Sequence, residues 1–204
     1  MQNVSIKNIS KNYGDKHVLN CVSKEFPMRE TTVIMGASGC GKTTLLRILL
    51  GLEMPDSGEV SGMPEKAAVL FQEDRLCVDV SAYENIALVL ERKTTRAQKE
   101  AQKHIIQQEA AQVGITVEDL KQNVMELSGG MRRRIALLRA LLYDADCVIL
   151  DEPFKGLDAA TKQNVMQYVK EKTTGRTTFL VTHDAAEADF FGRNIWKLTQ
   201  ANEK

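Results

Sequence analysis

The chain is 204 residues long, 43% hydrophobic, and carries 27 basic against 27 acidic residues. That length and composition suit one globular domain with a sizeable core. The cancelled charge supplies no field that would favour nucleic acid, an anionic membrane surface or an acidic substrate. Four scattered cysteines, Cys21, Cys40, Cys77 and Cys147, have no CxxC or CxxH spacing, which argues against zinc or a disulfide framework and fits a reducing compartment. The opening Met1-Gln2-Asn3-Val4-Ser5 lacks the basic and apolar regions of a secretory signal. Apolar runs such as 135–142 fall well short of the roughly 20 residues that span a bilayer, so any membrane role requires a partner.

Along the chain, residues 4–9 alternate apolar and polar as a half-buried strand does, and 18–26 and 31–35 read as further strands. A glycine-rich loop follows, then a predicted helix over 43–50 stopped by Gly51, Pro55, Asp56 and Gly58. Short strands are predicted at 58–60 and 67–71 around the turn Gly62-Met63-Pro64. From Ser81 the texture turns helical: 96–113 is rich in Gln, Lys, Glu and Ala without Pro or Gly, and 117–125 continues as helix. Helix is predicted again over 129–143, 159–173 and 185–191, with strands at 147–150, 177–181 and 194–198. This alternation predicts an α/β protein with a mostly parallel sheet, preceded by an antiparallel β portion and interrupted by a helical insertion. The expected division is one domain over 1–204: a core with its β subdomain roughly over 1–71, a helical subdomain roughly over 73–127, and the core resumed over 128–204.

The spacing G-x-x-x-x-G-K-T is met by Gly36-Ala37-Ser38-Gly39-Cys40-Gly41-Lys42-Thr43, with Thr44 next, between a predicted strand and a predicted helix. Glycines let the backbone wrap phosphates so that amides and a helix N-terminus point at negative charge. Lys42 is placed to neutralise the β- and γ-phosphates, and the Thr43 hydroxyl to meet Mg²⁺, a hard ion that takes oxygen ligands. Four apolar residues, Cys147-Val148-Ile149-Leu150, lead into Asp151-Glu152. In P-loop nucleoside triphosphatases such an aspartate holds the metal; Glu152 would then polarise the attacking water.

Leu127-Ser128-Gly129-Gly130-Met131, between that loop and Asp151-Glu152, resembles the signature sequence of ABC ATPases. The resemblance covers essentially the whole chain, from Tyr13 to His183, with the motifs in the family's order. It implies an ABC ATPase fold that binds and hydrolyses ATP with Mg²⁺. It also implies roles: Tyr13 stacks on adenine, Gln72 contacts Mg²⁺ and water, His183 touches the γ-phosphate, and Gly156-Leu157-Asp158 forms the loop linking two ATP sites. Ser128, Gly129 and Gly130 would face the γ-phosphate held by a second ATPase subunit, so a dimer is implied. An integral-membrane permease, reached through it an extracytoplasmic solute-binding protein, and a place on the cytoplasmic face of the cell membrane are implied too; the permease groove would be lined by 73–85.

Phe71-Gln72-Glu73-Asp74-Arg75-Leu76 is similar to importer ATPases of the nitrate, sulfonate and taurine type. An exporter ATPase, and a soluble ABC ATPase acting in a complex such as iron–sulfur assembly, are the alternatives at this point. Two residues depart from the family pattern: Met131 stands where glutamine is usual, and Lys155 where a small or polar residue is. A catalytically silent cassette is the reading those departures leave open. Arg132-Arg133-Arg134 reads as a basic helix start with Ile135, Leu138 and Leu142 forming its buried face, not as a nucleic-acid patch. The run 91–96 reads as a solvated helix edge.

Overall fold

The computed structural model describes residues 3–91 and 93–199. Arg92, within the 91–96 run, lies outside them, as do both ends of the 1–204 domain. Two compact units build the chain: Met1–Ala67, Ala145–Glu152 and Thr173–Lys204 form the first, Ala68–Asp144 and Pro153–Lys172 the second. Among the described residues no helix is long and apolar enough to cross a membrane.

The first unit opens with an antiparallel sheet in which β1 (Val4–Tyr13) lies between β2 (Lys16–Phe26) and β4 (Ser57–Ser61). β1 runs four residues beyond the alternating stretch because its register slips between Ile6 and Ile9. An extra residue in a strand turns the following side chains over, so periodicity is lost while pairing continues. Asn8 sits at that slip with φ 51°. Its amide donates to Ser23 Oγ (2.8 Å) and its Oδ1 accepts from the same hydroxyl (3.1 Å), the local bonding that lets Asn take a left-handed conformation.

The second sheet has the order β5-β6-β7-β3-β8. In the first unit β3 (Thr31–Met35), β6 (Cys147–Asp151), β7 (Thr177–Val181) and β8 (Asn194–Lys197) are parallel neighbours. Every residue of β6 and β7 is buried, as strands covered on both faces require, and this is why they read as continuous apolar runs. α1 (Lys42–Leu49) contributes Leu45, Leu46, Ile48 and Leu49 to the core. Phe26 meets Phe179 and Trp196 edge to face, with centroids 5.1 and 5.4 Å apart.

The second unit holds most of β5 (Ala67–Leu70), then α2 (Ala82–Ala87), α3 (Arg96–Gln112), α4 (Val117–Lys121), α5 (Gly129–Leu142) and nearly all of α6 (Ala159–Thr173). Capping boxes start three of these helices: Ser81 with Glu84, Thr95 with Gln98 and Thr116 with Asp119, each satisfying two otherwise orphaned backbone donors. The remaining helix, α7 (Ala185–Phe191), returns to the first unit.

Three expectations are corrected here. The helix predicted over 117–125 stops at Lys121; Gln122 is extended and Asn123 caps a 3-10 turn over Val124–Glu126 by accepting from the Met125 amide at 2.8 Å. Asn competes for backbone donors in this way, and the Gln122 carbonyl is used instead by the Ala82 amide. The 91–96 run meets helix only at its end: 91 and 93–94 are loop, Thr95 is the cap of α3, and Arg96 is the first residue of that helix. Leu142 is half-buried, and α5 buries Arg133, Ala136, Leu137, Ala140 and Leu141 besides Ile135 and Leu138, because it packs against both α2 and α3.

Arg133 is the unexpected member of that set. Its side chain is 5% exposed, and Nη1 donates to Phe71 O (2.7 Å), Gln72 O (3.4 Å) and Asp74 Oδ1 (2.9 Å). Arg139 adds bonds from Nη2 to Asp74 O (3.1 Å) and Arg75 O (2.9 Å), so 71–75 is fastened to α5. Removing one side of such a pair strands the other, and Asp74 is a quarter exposed, which softens the loss. Arg133→Met is therefore expected to cost about 2–3 kcal/mol of stability, read from the midpoint of urea unfolding; a shift below about 0.5 kcal/mol would contradict this account.

Candidate nucleotide site

β3 ends at Met35 and the chain turns through the glycine-rich loop into α1. At Gly36, φ is 156°, and a Cβ would stand 2.5 Å from Leu198 O and 2.6 Å from Cys40 Sγ; at Gly41, φ is 102°, and a Cβ would meet Val18 O at 2.9 Å. Only glycine fits these two positions. The loop closes on itself through Cys40 N to Ala37 O (3.3 Å), and Gly41 O accepts from Leu45 N (2.8 Å) to start α1. Ala37, Ser38 and Gly39 are exposed while Cys40, Gly41 and Lys42 are buried. The Lys42 ammonium is held across the loop, donating to Gly36 O and Ala37 O, each at 2.8 Å.

Thr43 Oγ1 donates to Asp151 Oδ2 at 3.0 Å. Asp151 is the last residue of β6 and is 4% exposed; it pairs in register with Val181 of β7. Beyond it, Glu152 takes φ 49°, its amide donating to Val181 O at 2.9 Å. A left-handed conformation costs a non-glycine residue about 1 kcal/mol, and such strain is kept where surrounding contacts over-determine it. Glu152 Oε1 lies 3.1 Å from His183 Nδ1. Before that histidine, the buried Thr182 donates its hydroxyl to Glu187 and accepts from the Asp184 amide at 3.1 Å, which fixes the backbone carrying His183.

These residues lie at the carboxyl ends of β3, β6 and β7, where open parallel sheets bind ligands. Loop amides and a helix N-terminus suit phosphates. The all-oxygen pair of Thr43 and Asp151 suits a hard divalent cation that takes its remaining ligands from substrate and water. Among the described residues no three His, Cys, Asp or Glu side chains converge as a self-sufficient metal site, so phosphate oxygens would have to complete the shell.

Tyr13, also in the first unit, ends β1 at 47% exposure, its hydroxyl donating to Glu53. Gln72, Ser128, Gly129 and Gly130 belong to the second unit. Gln72 is exposed. Ser128 caps α5, its Oγ accepting from the Met131 amide at 3.2 Å. Met131 thus serves this start through its backbone, whatever its side chain. Gly129 has open space where a Cβ would be, whereas at Gly130 it would come within 3.2 Å of Gly156 O. Asp158 accepts from the Thr161 amide at 3.0 Å, capping the following helix; that bond holds its carboxyl below the usual range. Glu53 and Glu187 carry no sequence motif, and Arg133 read only as part of a basic helix start, since its partners are distant in the chain.

A glycine-wrapped lysine, a hydroxyl–carboxylate pair and a strained carboxylate against a histidine define a P-loop nucleoside triphosphatase. Residues 19–155 match the family model described as ABC transporter. The chain is 39% identical over 189 residues to the aliphatic sulfonates import ATP-binding protein SsuB 3 of Paraburkholderia xenovorans (strain LB400), covering 91% of this chain and 72% of that one. It is 38% identical over 188 residues to the taurine import ATP-binding protein TauB of Pseudomonas aeruginosa (strain UCBPP-PA14), covering 87% and 70%. Among solved structures, the dimeric post-hydrolysis state of the ATP-binding cassette MJ0796 bound to ADP and Pi superposes with a TM-score of 0.84 at 27% identity, covering 98% of this chain and 97% of that one. The chain belongs to the ABC transporter family as its ATP-binding, ATP-hydrolysing cassette.

Proposed function

We propose that the chain powers a membrane importer of the sulfonate and taurine kind from the cytoplasmic face of the cell membrane, working as a pair of cassettes against an integral-membrane permease. The names of its relatives support import over export and over a soluble assembly. The observation that carries the catalytic part is the placement of Thr43–Asp151 and Glu152–His183 on adjoining strand ends beside the Lys42 loop.

In this reading the amides of 36–44 and the Lys42 ammonium cradle the triphosphate, and Tyr13 backs the adenine. Thr43 and Asp151 would hold Mg²⁺, which supplies charge neutralisation at the β- and γ-phosphate oxygens. Glu152 accepts a proton from the attacking water, and His183 orients Glu152 while reaching the γ-phosphate. Ser128, Gly129 and Gly130 of each copy present the N-terminus of α5 to the triphosphate held by the other, so nucleotide joins the two copies. Catalysis is then positioning and electrostatics, and loss of the γ-phosphate removes what both copies hold.

The permease would seat along 73–85, where Val78 is 52% exposed. A solute-binding protein outside the membrane would select the cargo. Purification of the full chain from detergent-solubilised membranes is expected to bring down a polytopic membrane protein that raises its ATP turnover. Recovery with a soluble complex alone would overturn the transport assignment.

A further inference from the structure

Glu53 holds a position that no sequence motif marks. α1 ends in a complete Schellman turn: Gly51, with φ 66°, donates to Ile48 O at 3.0 Å and Leu52 donates to Arg47 O at 2.9 Å. Glu53 follows at once, so its backbone is set by the helix that begins at the phosphate loop. Its carboxylate is 14% exposed and gathers three partners. It accepts from the Tyr13 hydroxyl, from Arg47 Nε at 3.2 Å, and lies 3.5 Å from Lys11 Nζ. Lys11 is itself fixed, donating to Met54 O at 2.8 Å and pairing with Asp56 at 3.4 Å.

Tyr13 is thereby held at its hydroxyl although nearly half of the residue is exposed. Lys11 Nζ stands over the ring, 5.6 Å from its centroid, a cation–π approach that occupies one face. The hydrogen bond from Tyr13 keeps the Glu53 carboxyl below its ordinary range, while partial burial and the same bond raise the phenol.

We propose that Glu53 is a positioning residue that pins Tyr13 by its hydroxyl, so that the ring is presented as a fixed platform for the nucleobase and is tied through α1 to the phosphate loop. This rests on Tyr13 meeting the base, as set out above. A tethered ring stacks without first losing rotamer freedom. A free one gives part of the stacking energy back. The tyrosine hydroxyl is then essential to base binding although it never touches the base.

The test measures ATP and tripolyphosphate, which lacks a base, on the full chain. Tyr13→Phe and Glu53→Ala are each expected to raise KM and Kd for ATP about five- to tenfold, with a much smaller change in kcat and in tripolyphosphate affinity. The double variant is expected to be no worse than Glu53→Ala alone, because the bond that Tyr13→Phe removes is already lost in it. Glu53→Gln keeps an acceptor for the hydroxyl and is expected to recover most of the affinity; it carries the test with Tyr13→Phe should Glu53→Ala not fold. Equal loss of ATP and tripolyphosphate in Glu53→Ala would overturn the proposal, leaving Glu53 a general stabiliser of α1. If Tyr13→Ala weakens ATP selectively while Tyr13→Phe and Glu53→Ala do not, the platform stands and the tether falls. If Tyr13→Ala leaves the ratio of ATP to tripolyphosphate affinity unchanged, Tyr13 is no platform and both readings fall.

Discussion

Glu152→Gln is expected to lower ATP turnover by about a hundredfold or more while ATP still binds and the ATP-bound dimer accumulates. The substitution is nearly isosteric, and glutamine meets the same left-handed backbone at φ 49° that glutamate does, so strain is unchanged. The backbone anchor, from the Glu152 amide to Val181 O at 2.9 Å, also survives. What goes is the negative charge and the proton-accepting oxygen beside His183 Nδ1. The phosphate-binding parts are elsewhere, in the loop and Lys42, so binding is separated from chemistry. Phosphate release under saturating ATP measures the first effect and size-exclusion chromatography with ATP the second. Turnover within threefold of the unsubstituted chain would remove Glu152 from its assigned role. Finding no turnover in either protein would favour the silent cassette that Met131 and Lys155 left open, although Met131 bonds to Ser128 through its amide and Lys155 is exposed.

The nucleotide loop and the carboxylate pair were legible because their chemistry is local. Gly36, Gly41 and Lys42 lie within seven consecutive residues, and Asp151 and Glu152 end a run of four apolar ones, so spacing alone implied strand, loop and helix. Val148-Ile149-Leu150 read as buried strand because β6 is covered on both faces. The rest depends on contacts between residues far apart. Glu53 looks like any charged residue in a turn until Tyr13, forty positions earlier, is set against it. Arg133 read as one of three basic residues at a helix start, yet it is buried because 71–74 supplies two carbonyls and a carboxylate about sixty residues away. The slip at Asn8 is invisible to period counting, since it breaks the alternation by which a strand is recognised. The break at Gln122 was obscured for the opposite reason: 117–125 contains no glycine or proline, and the stop comes from an asparagine side chain taking a backbone donor.

Lys42→Met is expected to weaken ATP binding by about ten- to hundredfold, and the geometry separates that loss from a second one. The ammonium has three donors, directed at Gly36 O and Ala37 O, each 2.8 Å away, and more weakly at Cys40 Sγ, 3.9 Å away. The sulfur contact is the one a phosphate oxygen can replace at little cost, because a charged donor gains far more from an anionic oxygen than from a thiol. Methionine keeps the length of the stem but removes that charge; a hydrogen bond between charged groups is worth about 1.5–3 kcal/mol, roughly a ten- to hundredfold change. It also takes a donor from Gly36 O and from Ala37 O, the latter keeping only the Cys40 amide at 3.3 Å, and so relaxes the loop whose amides must converge on phosphate. This second loss predicts a fall of about 1–2 kcal/mol in the stability of the nucleotide-free chain, alongside loss of the thermal stabilisation that ATP confers. Titration calorimetry and thermal unfolding with and without ATP separate the two effects. If affinity stays within threefold while stability falls, Lys42 is a brace for the loop and nothing more, and the charge that meets the triphosphate must be sought on another residue.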